Sequence, residues 1–535
     1  MEFEGAGKLS IEMMRLLGLS ILLVVTNNLY ANNVVISNIT SYPTGSYTQV
    51  GFDLSWENSW RTSSLTSNYD AVWVFIKYLD TDGTWKHLNL TNANNSITGG
   101  YTISVPADLK GAFIYRSANG TGNVSLTDVR LGVTLTPGSF DVQVFGIEMV
   151  YIPQGNFSIG DGNGTTESAN AFHSGTGNSS VAISITPVSD IRTDANTYDD
   201  AQIETIGIGI DGDGGIDTDD NGSIDNAAFP TGYAGFYSMK YEISQRGYAD
   251  FLNTLTYTQQ IFNTTTAPNS AMGTSALTSG FRVYIEIATP GVSTTAPAVY
   301  GLDGDNDNTF DESTDGEWIA LNNATWPRIC AYMDWAALRP MTELEFEKIC
   351  RGPNATVLNE YAWGSTTLFA SAYSLSASAQ SGEVASNASG TLGNAAYSTT
   401  SASANLRSGI FATGSTSRVT AGSAFYGVME MSGNAFERPV TVGNVAGRSF
   451  TGVLGNGGLN SSGHADVDFW PGINGNSTAS TANTAYGGTT GVTQAAGSGF
   501  RGGDVGYNAT ELRTSDRIFG AEVNAPFRTG GRGVR

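Results

Sequence analysis

Basic side chains are scarce in this sequence. The chain of 535 residues has 26 lysines and arginines against 49 acidic residues, which gives a net charge of −23 at pH 7. Nucleic-acid binding needs a basic face that meets phosphate, and an anionic membrane surface attracts basic segments for the same reason. The composition therefore argues against both kinds of partner, and acidic residues gathered in short loops suggest divalent cations instead.

Histidine is scarce too, and reactive motifs are few. The 3 histidines are His87, His173 and His464, which lie in different regions of the chain. In "HADVD", His464, Asp466 and Asp468 could bind a metal, although an ordinary polar loop accounts for such a segment more often. Neither a Gly-x-Ser-x-Gly motif nor a Cys/His pair is apparent, whereas a Ser/His/Asp arrangement assembled by the fold stays open.

Long apolar runs are absent except near the start of the chain. "LLGLSILLVV" (Leu16–Val25) has the length of the hydrophobic region of a signal peptide and is short for a membrane span. Arg15 supplies the positive flank, and "LYA" ending at Ala31 supplies a cleavage point. We therefore predict a signal peptide in residues 1–31 and a secreted or cell-surface mature protein without a membrane span. The alternative is a buried N-terminal helix.

Residues 32–145 show the pattern of an antiparallel β-sandwich. "VGFDLSW" alternates Val50, Phe52, Leu54 and Trp56 with small or polar residues, which is the period of a strand with one buried face. "AVWVFIKYL" is apolar almost throughout, which is typical of a central strand covered on both faces. Further short strands follow at the spacing of a sandwich, and no group of catalytic residue types occurs among them.

Residues 146–535 combine helical segments with long loops rich in Gly, Ser and Thr. Ser244 is a candidate N-cap of the first helix, and Thr325 is a candidate N-cap of a second helix with Pro327 in its first turn. Thr342 and Glu345 have the spacing of a capping box at the start of a third helix, in which Phe346 and Ile349 face inward and which ends at Gly352. The whole chain is thus predicted to be an α+β protein that is rich in β-structure.

Eight segments, in this order, resemble the formylglycine-generating enzyme (sulfatase-modifying factor) family. They are "FGIEMVYIPQGNFSIGD", "FYSMKYEISQRGYADFLN", "RPMTELEFEKICRG", "YAWGS", "GVMEMSGNAFERP", "FRGGDV", "SDRIFG" and "GGRGVR". The resemblance implies that residues 146–535 form a C-type-lectin-like domain, which has a small twisted sheet, two main helices and elaborate loops.

The resemblance also defines what this chain lacks. Enzymes of the family use a pair of cysteines near the C-terminal strands to bind copper and activate oxygen, whereas no cysteine follows Gly352 here. The 2 cysteines, Cys330 and Cys350, lie on two predicted helices instead. They form either a structural disulfide or two buried thiols, and the oxidase chemistry of the family is not expected.

The segment "DTDDNGSID" matches the first nine positions of a calcium loop. Calcium binds six to eight oxygens, and a short loop supplies them when alternate side chains curl around one point with a glycine at the sharp turn. Ala228 stands where the bidentate Glu is expected, so a remote carboxylate would have to complete the shell. A flexible acidic loop is the alternative reading. The candidate ligands are Asp217, Asp219, Asn221, Ser223 and Asp225.

Two further calcium sites are predicted. "DGDNDNTFDE" has similar spacing, with Asn308 in place of the turn glycine; its candidate ligands are Asp303, Asp305, Asp307 and Asp311. In enzymes of the family, the Gly-Asn-x-x-Glu turn binds calcium, and the resemblance implies the same role for Gly433, Asn434, Ala435 and Glu437. A buried salt bridge of Glu437 is the structural alternative for this turn.

These patterns together predict a secreted, calcium-stabilised protein with a binding or structural role and no oxidase activity. Its partner would be a protein or glycan at the cell surface or in an extracellular assembly, and the pair Phe469-Trp470 would suit sugar stacking if it were exposed. Two alternatives stay open. One is a self-assembling filament or surface-layer subunit, and the other is a metal-dependent enzyme that uses a site without cysteine.

Overall fold

The computed structural model describes residues 34–43, 47–64, 67–135, 141–161, 171–172, 183–185, 226–293, 295–401, 404–472, 491–524 and 528–535. Within these ranges the chain is rich in β-strands, has few helices and forms several antiparallel sheets, as the sequence predicts for a β-rich α+β protein. None of the helices in these ranges is both long enough and apolar enough to cross a membrane. The predicted signal peptide, residues 1–31, lies outside the described residues.

Most of the strands belong to the first half of the chain. The strands are β1 (Val35–Pro43), β2 (Thr48–Arg61), β3 (Asp70–Leu79), β4 (Trp85–Leu88), β5 (Tyr101–Ser104), β6 (Ala112–Arg116), β7 (Gly120–Val133), β8 (Val142–Ile152), β9 (Phe157–Ile159), β10 (Ile183–Ile185), β11 (Phe236–Met239), β12 (Ile285–Thr289), β13 (Val299–Leu302), β14 (Arg339–Pro340), β15 (Leu375–Ser376), β16 (Val384–Ala385) and β17 (Gly533–Val534). The helices are α1 (Gln245–Asn253), α2 (Tyr257–Asn263), α3 (Trp326–Trp335), α4 (Glu343–Arg351) and α5 (Val445–Arg448).

One eight-stranded sheet organises the molecule. Its strand order is β14-β17-β11-β8-β3-β6-β5, with β4 paired to β3 beside this path. A separate three-stranded sheet has the order β1-β2-β7. The remaining strands of the described ranges form two-stranded sheets, which are β9 with β10, β12 with β13, and β15 with β16.

Strand β3 is covered on both faces, as its continuous apolar run predicts. Val72 and Val74 belong to a hydrophobic cluster that includes Phe52 of β2, so the three-stranded sheet faces one side of β3. Phe75 points to the other side, where its ring meets that of Trp335 on α3 at 5.0 Å in an edge-on contact. Alternate side chains of one strand thus join two different cores.

The predicted boundary between residues 145 and 146 falls inside a strand. Strand β8 pairs with β3 on one side and with β11 on the other, so one sheet contains both halves of the chain. Buried hydrogen bonds cross the same boundary: Trp73 Nε1 donates to the carbonyl of Ala336 at 2.9 Å, and Lys77 Nζ donates to that of Gly457 at 2.6 Å. The two halves are therefore joined by a shared sheet and a shared core.

The helix termini follow the sequence closely, with one exception. Ser244 Oγ accepts from the N–H of Gly247, and the Thr342–Glu345 capping box forms in both directions. Thr325 occupies the N-cap position of α3, but its side chain makes no capping hydrogen bond, contrary to the prediction. Pro327 in the first turn lacks the N–H that would need such a cap, which lowers the benefit of one.

Helix α4 is buried on every side. All nine of its residues are at most 1% exposed, including the charged positions of "ELEFEKICR". The sequence predicts inward-facing Phe346 and Ile349 but gives no sign that the polar face is also enclosed. Buried charges are costly unless they are paired, so the partners of these side chains determine how the C-terminal half is assembled.

Candidate metal centre

The strongest candidate metal centre is the loop that follows β13. Asp303 is 2% exposed and Asp315 is 0% exposed, although carboxylates are normally found at the surface. The carboxylate of Asp303 accepts the N–H groups of Asp307 and Asn308 at 3.1 and 2.9 Å. These bonds fix the Asp303 side chain in the loop. Asn308 has φ of +63°, the conformation expected of an Asn that replaces the turn glycine.

The second buried carboxylate of the loop is held in the same manner. Asp315 accepts the N–H groups of Gly304 and Glu312 at 3.0 and 2.7 Å. Each of its two oxygens therefore keeps a fixed direction, although Asp315 has no ion-pair partner among the residues that the structure describes. The two ends of the loop are thereby brought together, with one buried acid at each end.

Carboxylate oxygens converge at two points in this loop. One oxygen each from Asp303, Asp305 and Asp315 lies within 4.8 Å of the others, and Asp305, Asp307 and Glu312 form a second such group. Calcium binds oxygen at 2.3–2.6 Å, so oxygens on opposite sides of one ion are roughly 5 Å apart. Both groups have the dimensions of part of a calcium coordination shell, and Asp305 belongs to each.

Asp311 is not part of either group, contrary to the sequence prediction. Its φ is +66°, and its carboxylate accepts the N–H of Leu302 at 2.9 Å and pairs with Arg246 at 2.7 Å. The guanidinium of Arg246, which also binds Asp250 at 2.6 Å, removes Asp311 from the loop interior. Because this ion pair joins residues far apart in the chain, the local spacing of acids could not reveal it.

Glu312 and Asp315 are the candidate ligands that the sequence analysis does not include. Counted from Asp303, Glu312 is position ten of the loop, where a calcium loop has no ligand, and Asp315 is position thirteen, one residue after such a loop ends. The signal in the sequence is the concentration of acids in "DESTDGE", which begins at the last predicted ligand, Asp311. The structure brings these acids back to Asp303 because the loop closes on itself through the N–H of Gly304.

Glu286 on β12 lies close to the five acids of these two groups and has no ion-pair partner in the described ranges. Burial and the nearby charge of Asp303 raise the pKa of Glu286 on β12 to about 7. Arg246 pairs with Asp250 and Asp311 and so does not neutralise the group around Asp303. The local excess of negative charge is what a divalent cation would compensate.

The other predicted calcium loop lies outside the described residues. Its candidate ligands are Asp217, Asp219, Asn221, Ser223 and Asp225.

In the predicted calcium site at residues 433–437, the polar groups bind other residues of the protein. Glu242 accepts the side-chain amide of Asn434 at 2.6 Å and the N–H of Ala435 at 2.8 Å. Glu437 pairs with Arg532, and both side chains are 0% exposed. Gly433 has φ of +92° and forms the turn itself. The buried salt bridge that the sequence left open as an alternative is therefore present here.

Arginines of the segments "FRGGDV" and "SDRIFG" pair with acidic residues of α4, and these ion pairs are buried too. Glu343 pairs with Arg501 at 3.1 Å and with Arg517 at 2.5 Å, and all three side chains are 0% exposed. Glu347 pairs with Arg501 at 2.7 Å and with Arg351 at 2.9 Å. Burial raises the pKa of Glu343, but Arg517 and Arg501 outweigh it and hold that pKa below its ordinary value. The paired charges explain how a fully buried helix can carry so many of them.

The two cysteines are free and buried, so of the two alternatives that the sequence leaves open, a disulfide or two buried thiols, the structure has the buried thiols. Cys330 on α3 and Cys350 on α4 belong to different hydrophobic clusters, so packing separates them. Burial raises the pKa of the Cys330 thiol well above its ordinary value and that of Cys350 to about 12. A redox thiol needs exposure and a lowered pKa, and both thiols have the opposite properties.

The loop "HADVD" forms an ordinary polar segment. The imidazole of His464 lies edge-on to Phe262 at 3.6 Å, and Asp466 accepts the side-chain amide of Asn456 at 2.9 Å. Trp470 is 1% exposed and donates to the carbonyl of Val453, so it is a core residue and not the exposed sugar-stacking ring considered from the sequence.

No family of known proteins matches the chain, and neither does any curated protein sequence.

Proposed function

We propose that the chain is a secreted, calcium-stabilised protein with a non-catalytic binding or structural role at the cell surface or in an extracellular assembly. The observation that carries the calcium proposal is the pair of buried carboxylates, Asp303 and Asp315, held toward Asp305 by backbone N–H groups. Closing an acidic loop around a cation offsets the repulsion between its carboxylates, so the ion would stabilise the fold.

We also propose that the scaffold of the C-terminal half is that of the sulfatase-modifying-factor family, a C-type-lectin-like fold that shares a sheet with the N-terminal β-sandwich. The support is that segments quoted for the resemblance contact one another through buried charges. Glu343 of "RPMTELEFEKICRG" binds Arg501 of "FRGGDV" and Arg517 of "SDRIFG", and Glu437 of "GNAFE" binds Arg532 of "GGRGVR". These motif residues thus have structural partners, which fits inheritance of a scaffold without its oxidase site.

A non-catalytic role is supported by the burial of the two thiols and of the His87 imidazole, since thiols and imidazoles are common catalytic groups. Both thiols are buried with raised pKa values. His87 is enclosed between Lys77 and the carbonyl of Lys110, and burial holds the pKa of its imidazole well below the ordinary value. A histidine fixed in this way stays neutral and positions the chain instead of exchanging protons.

Thermal unfolding with and without calcium tests the proposal. Calcium is expected to raise the unfolding free energy by about 2.7 kcal/mol when its concentration exceeds the dissociation constant 100-fold. The variant Asp305→Asn, at an exposed position that belongs to both groups of oxygens, should bind calcium less tightly. Asp82→Asn is the matched control, because Asp82 is exposed and its ion pair among the described residues is with Lys86, away from the candidate loop.

Three results would contradict the proposal in different ways. An unchanged melting temperature after chelation would remove the structural role of calcium. A calcium effect equal in wild type and Asp305→Asn would move the site away from this loop. Stoichiometric zinc, copper or iron in elemental analysis, together with a catalytic assay that depends on that metal, would favour the metal-dependent enzyme.

A further inference from the structure

Four tyrosines form a row across four neighbouring strands of the large sheet. Tyr237 on β11, Tyr151 on β8, Tyr69 directly before β3 and Tyr115 on β6 follow the strand order β11-β8-β3-β6. The ring centroids are 5.1 Å apart between Tyr237 and Tyr151, 5.0 Å between Tyr151 and Tyr69, and 4.8 Å between Tyr69 and Tyr115. The rings of Tyr237 and Tyr69 are also only 6.1 Å apart, so the side chains of three neighbouring strands converge. We name these four residues the tyrosine row.

The tyrosine row lies on the same face of the sheet as the core beneath the helices. Tyr237 stacks on the buried Phe113 with ring centroids 3.8 Å apart, and Tyr237 and Tyr115 pack against the edge of that core. All four tyrosines are partly exposed. The row therefore extends the core outward as a surface of rings whose positions are fixed by strand pairing and not by flexible loops.

Two of the four hydroxyls of the tyrosine row form a hydrogen bond within the described part of the chain. The hydroxyls of Tyr69 and Tyr237 share one hydrogen bond at 2.8 Å. Those of Tyr115 and Tyr151 make no hydrogen bond to any residue that the structure describes. Two half-exposed rings thus carry hydroxyls that can still donate and accept.

One cation lies over the row. The guanidinium carbon of Arg61 is 4.4 Å from the ring centroid of Tyr69 and 5.3 Å from that of Tyr115. Its Nη1 donates to the carbonyl of Arg116 at 3.0 Å, and it forms no ion pair within the described part of the chain. Arg61 therefore contacts two rings and still has N–H groups that can donate hydrogen bonds to a ligand.

We propose that the tyrosine row binds a neutral glycan chain. Sugar rings present C–H faces that pack on aromatic rings and hydroxyls that pair with tyrosine and arginine, and the tyrosine row offers rings, hydroxyls and the Arg61 guanidinium within one small area. The net charge of −23 opposes a polyanionic glycan. A hydrophobic protein surface would bury the Tyr115 and Tyr151 hydroxyls without partners, which is costly. This inference rests on the proposed binding role and gives that role a location and a ligand class.

Affinity electrophoresis with dissolved polysaccharides tests the proposal. Hydroxyethyl cellulose, xyloglucan and galactomannan serve as neutral probes, and carboxymethyl cellulose serves as the charged counterpart of the first. At least one neutral probe should retard the wild-type protein. Tyr115→Ala and Tyr151→Ala should each weaken that binding about tenfold, because each removes an aromatic ring from the contact surface. Tyr115→Phe, which keeps the ring, should weaken it less.

Tyr42→Ala is the matched control, because Tyr42 is another partly exposed tyrosine under an arginine, with Arg130 4.3 Å from its ring centroid. It should bind as the wild type does. No retardation by any neutral probe, retardation by carboxymethyl cellulose alone, or an equal loss in Tyr42→Ala would each overturn the proposal. The calcium-dependent melting temperature of the tyrosine variants is a separate measurement, so failure of glycan binding is distinguishable from failure of the calcium proposal.

Discussion

Glu343 at the start of α4 and Arg517, 174 residues later, form an ion pair in which neither side chain reaches solvent. The Nε–Oε2 distance is 2.5 Å, and the second oxygen of Glu343 accepts from Arg517 Nη2 at 2.9 Å. Arg501 approaches the same carboxylate at 3.1 Å. Three distant segments of the C-terminal half thus meet at one buried carboxylate.

Removing that carboxylate is expected to destabilise the protein strongly. Glu343→Gln keeps the shape of the side chain but removes the buried carboxylate charge that Arg517 and Arg501 both contact. Breaking a buried ion pair by removing one charge costs about 3–5 kcal/mol. Chemical denaturation monitored by tryptophan fluorescence should show this loss, whereas Asp80→Asn, at a surface pair with Lys86, should change the free energy of unfolding far less, because water screens an exposed pair. Equal effects of the two substitutions would contradict the structural role of the buried pair.

The sequence predicts the ends of α4 but not its surroundings. The capping box and Gly352, which has φ of +63°, are local features, and local spacing is enough to predict them. Burial of the charged face depends on Arg501 and Arg517, which come from loops more than 150 residues away. Nothing in the periodicity of the helix indicates such partners, so an amphipathic helix is the natural prediction from the sequence.

Stability is expected to fall as the pH rises from 5 to 8, in part because of Asp504. Burial raises the pKa of this carboxyl to about 7 in the folded protein, against an ordinary value of 3.8. Its Oδ1 accepts from the N–H of Gly506 at 2.6 Å, whereas Oδ2 is buried and without a partner among the described residues. Between the two pKa values the folded state binds the extra proton, so the free energy of unfolding decreases with rising pH until the folded pKa is passed.

Asp504→Asn isolates this contribution, because its amide resembles the protonated acid. The variant should lose about 2 to 3 kcal/mol of the pH dependence between pH 5 and pH 8, and it should be the more stable protein at pH 8. Urea denaturation at closely spaced pH values measures the difference. Parallel curves for the variant and the wild type would show that Asp504 titrates normally.

The two thiols should be unreactive in the folded protein. Cys330 and Cys350 are each 0% exposed, and burial raises the pKa of both. A thiol-specific colorimetric reagent is therefore expected to find no reactive thiol in the native protein and two after denaturation without reductant. If the denatured protein yields thiols only after reduction, the cysteines are bonded and the packing of α3 and α4 differs from that described.

The candidate metal centre shows the same division between local and distant information. The sequence predicts an acidic loop from Asp303 and includes Asp305 and Asp307, because alternating acids are a local pattern. It also includes Asp311, whose carboxylate is held by Arg246 on α1, and it misses Asp315 at the closing end of the loop. The tyrosine row is a stronger case, because it depends on a strand order that connects residues up to 168 positions apart.

A fragment of residues 146–535 is expected not to fold on its own. It begins inside β8 and lacks β3, which pairs with β8 along nine consecutive positions from Asp70 to Tyr78. It also loses Trp73 and Phe75, two fully buried rings of the core that contains α3. Each such ring contributes about 1.5–3 kcal/mol by leaving water, which is a large share of the 5–15 kcal/mol by which a domain is normally stable. Circular dichroism during heating should therefore show no cooperative transition for this fragment.

A chain of residues 34–535 is the matched control, since it keeps every described strand and should unfold cooperatively like the full chain. A cooperative transition of the 146–535 fragment at the midpoint of the full chain would mean that β8 completes a core without β3, and that the two halves are independent domains.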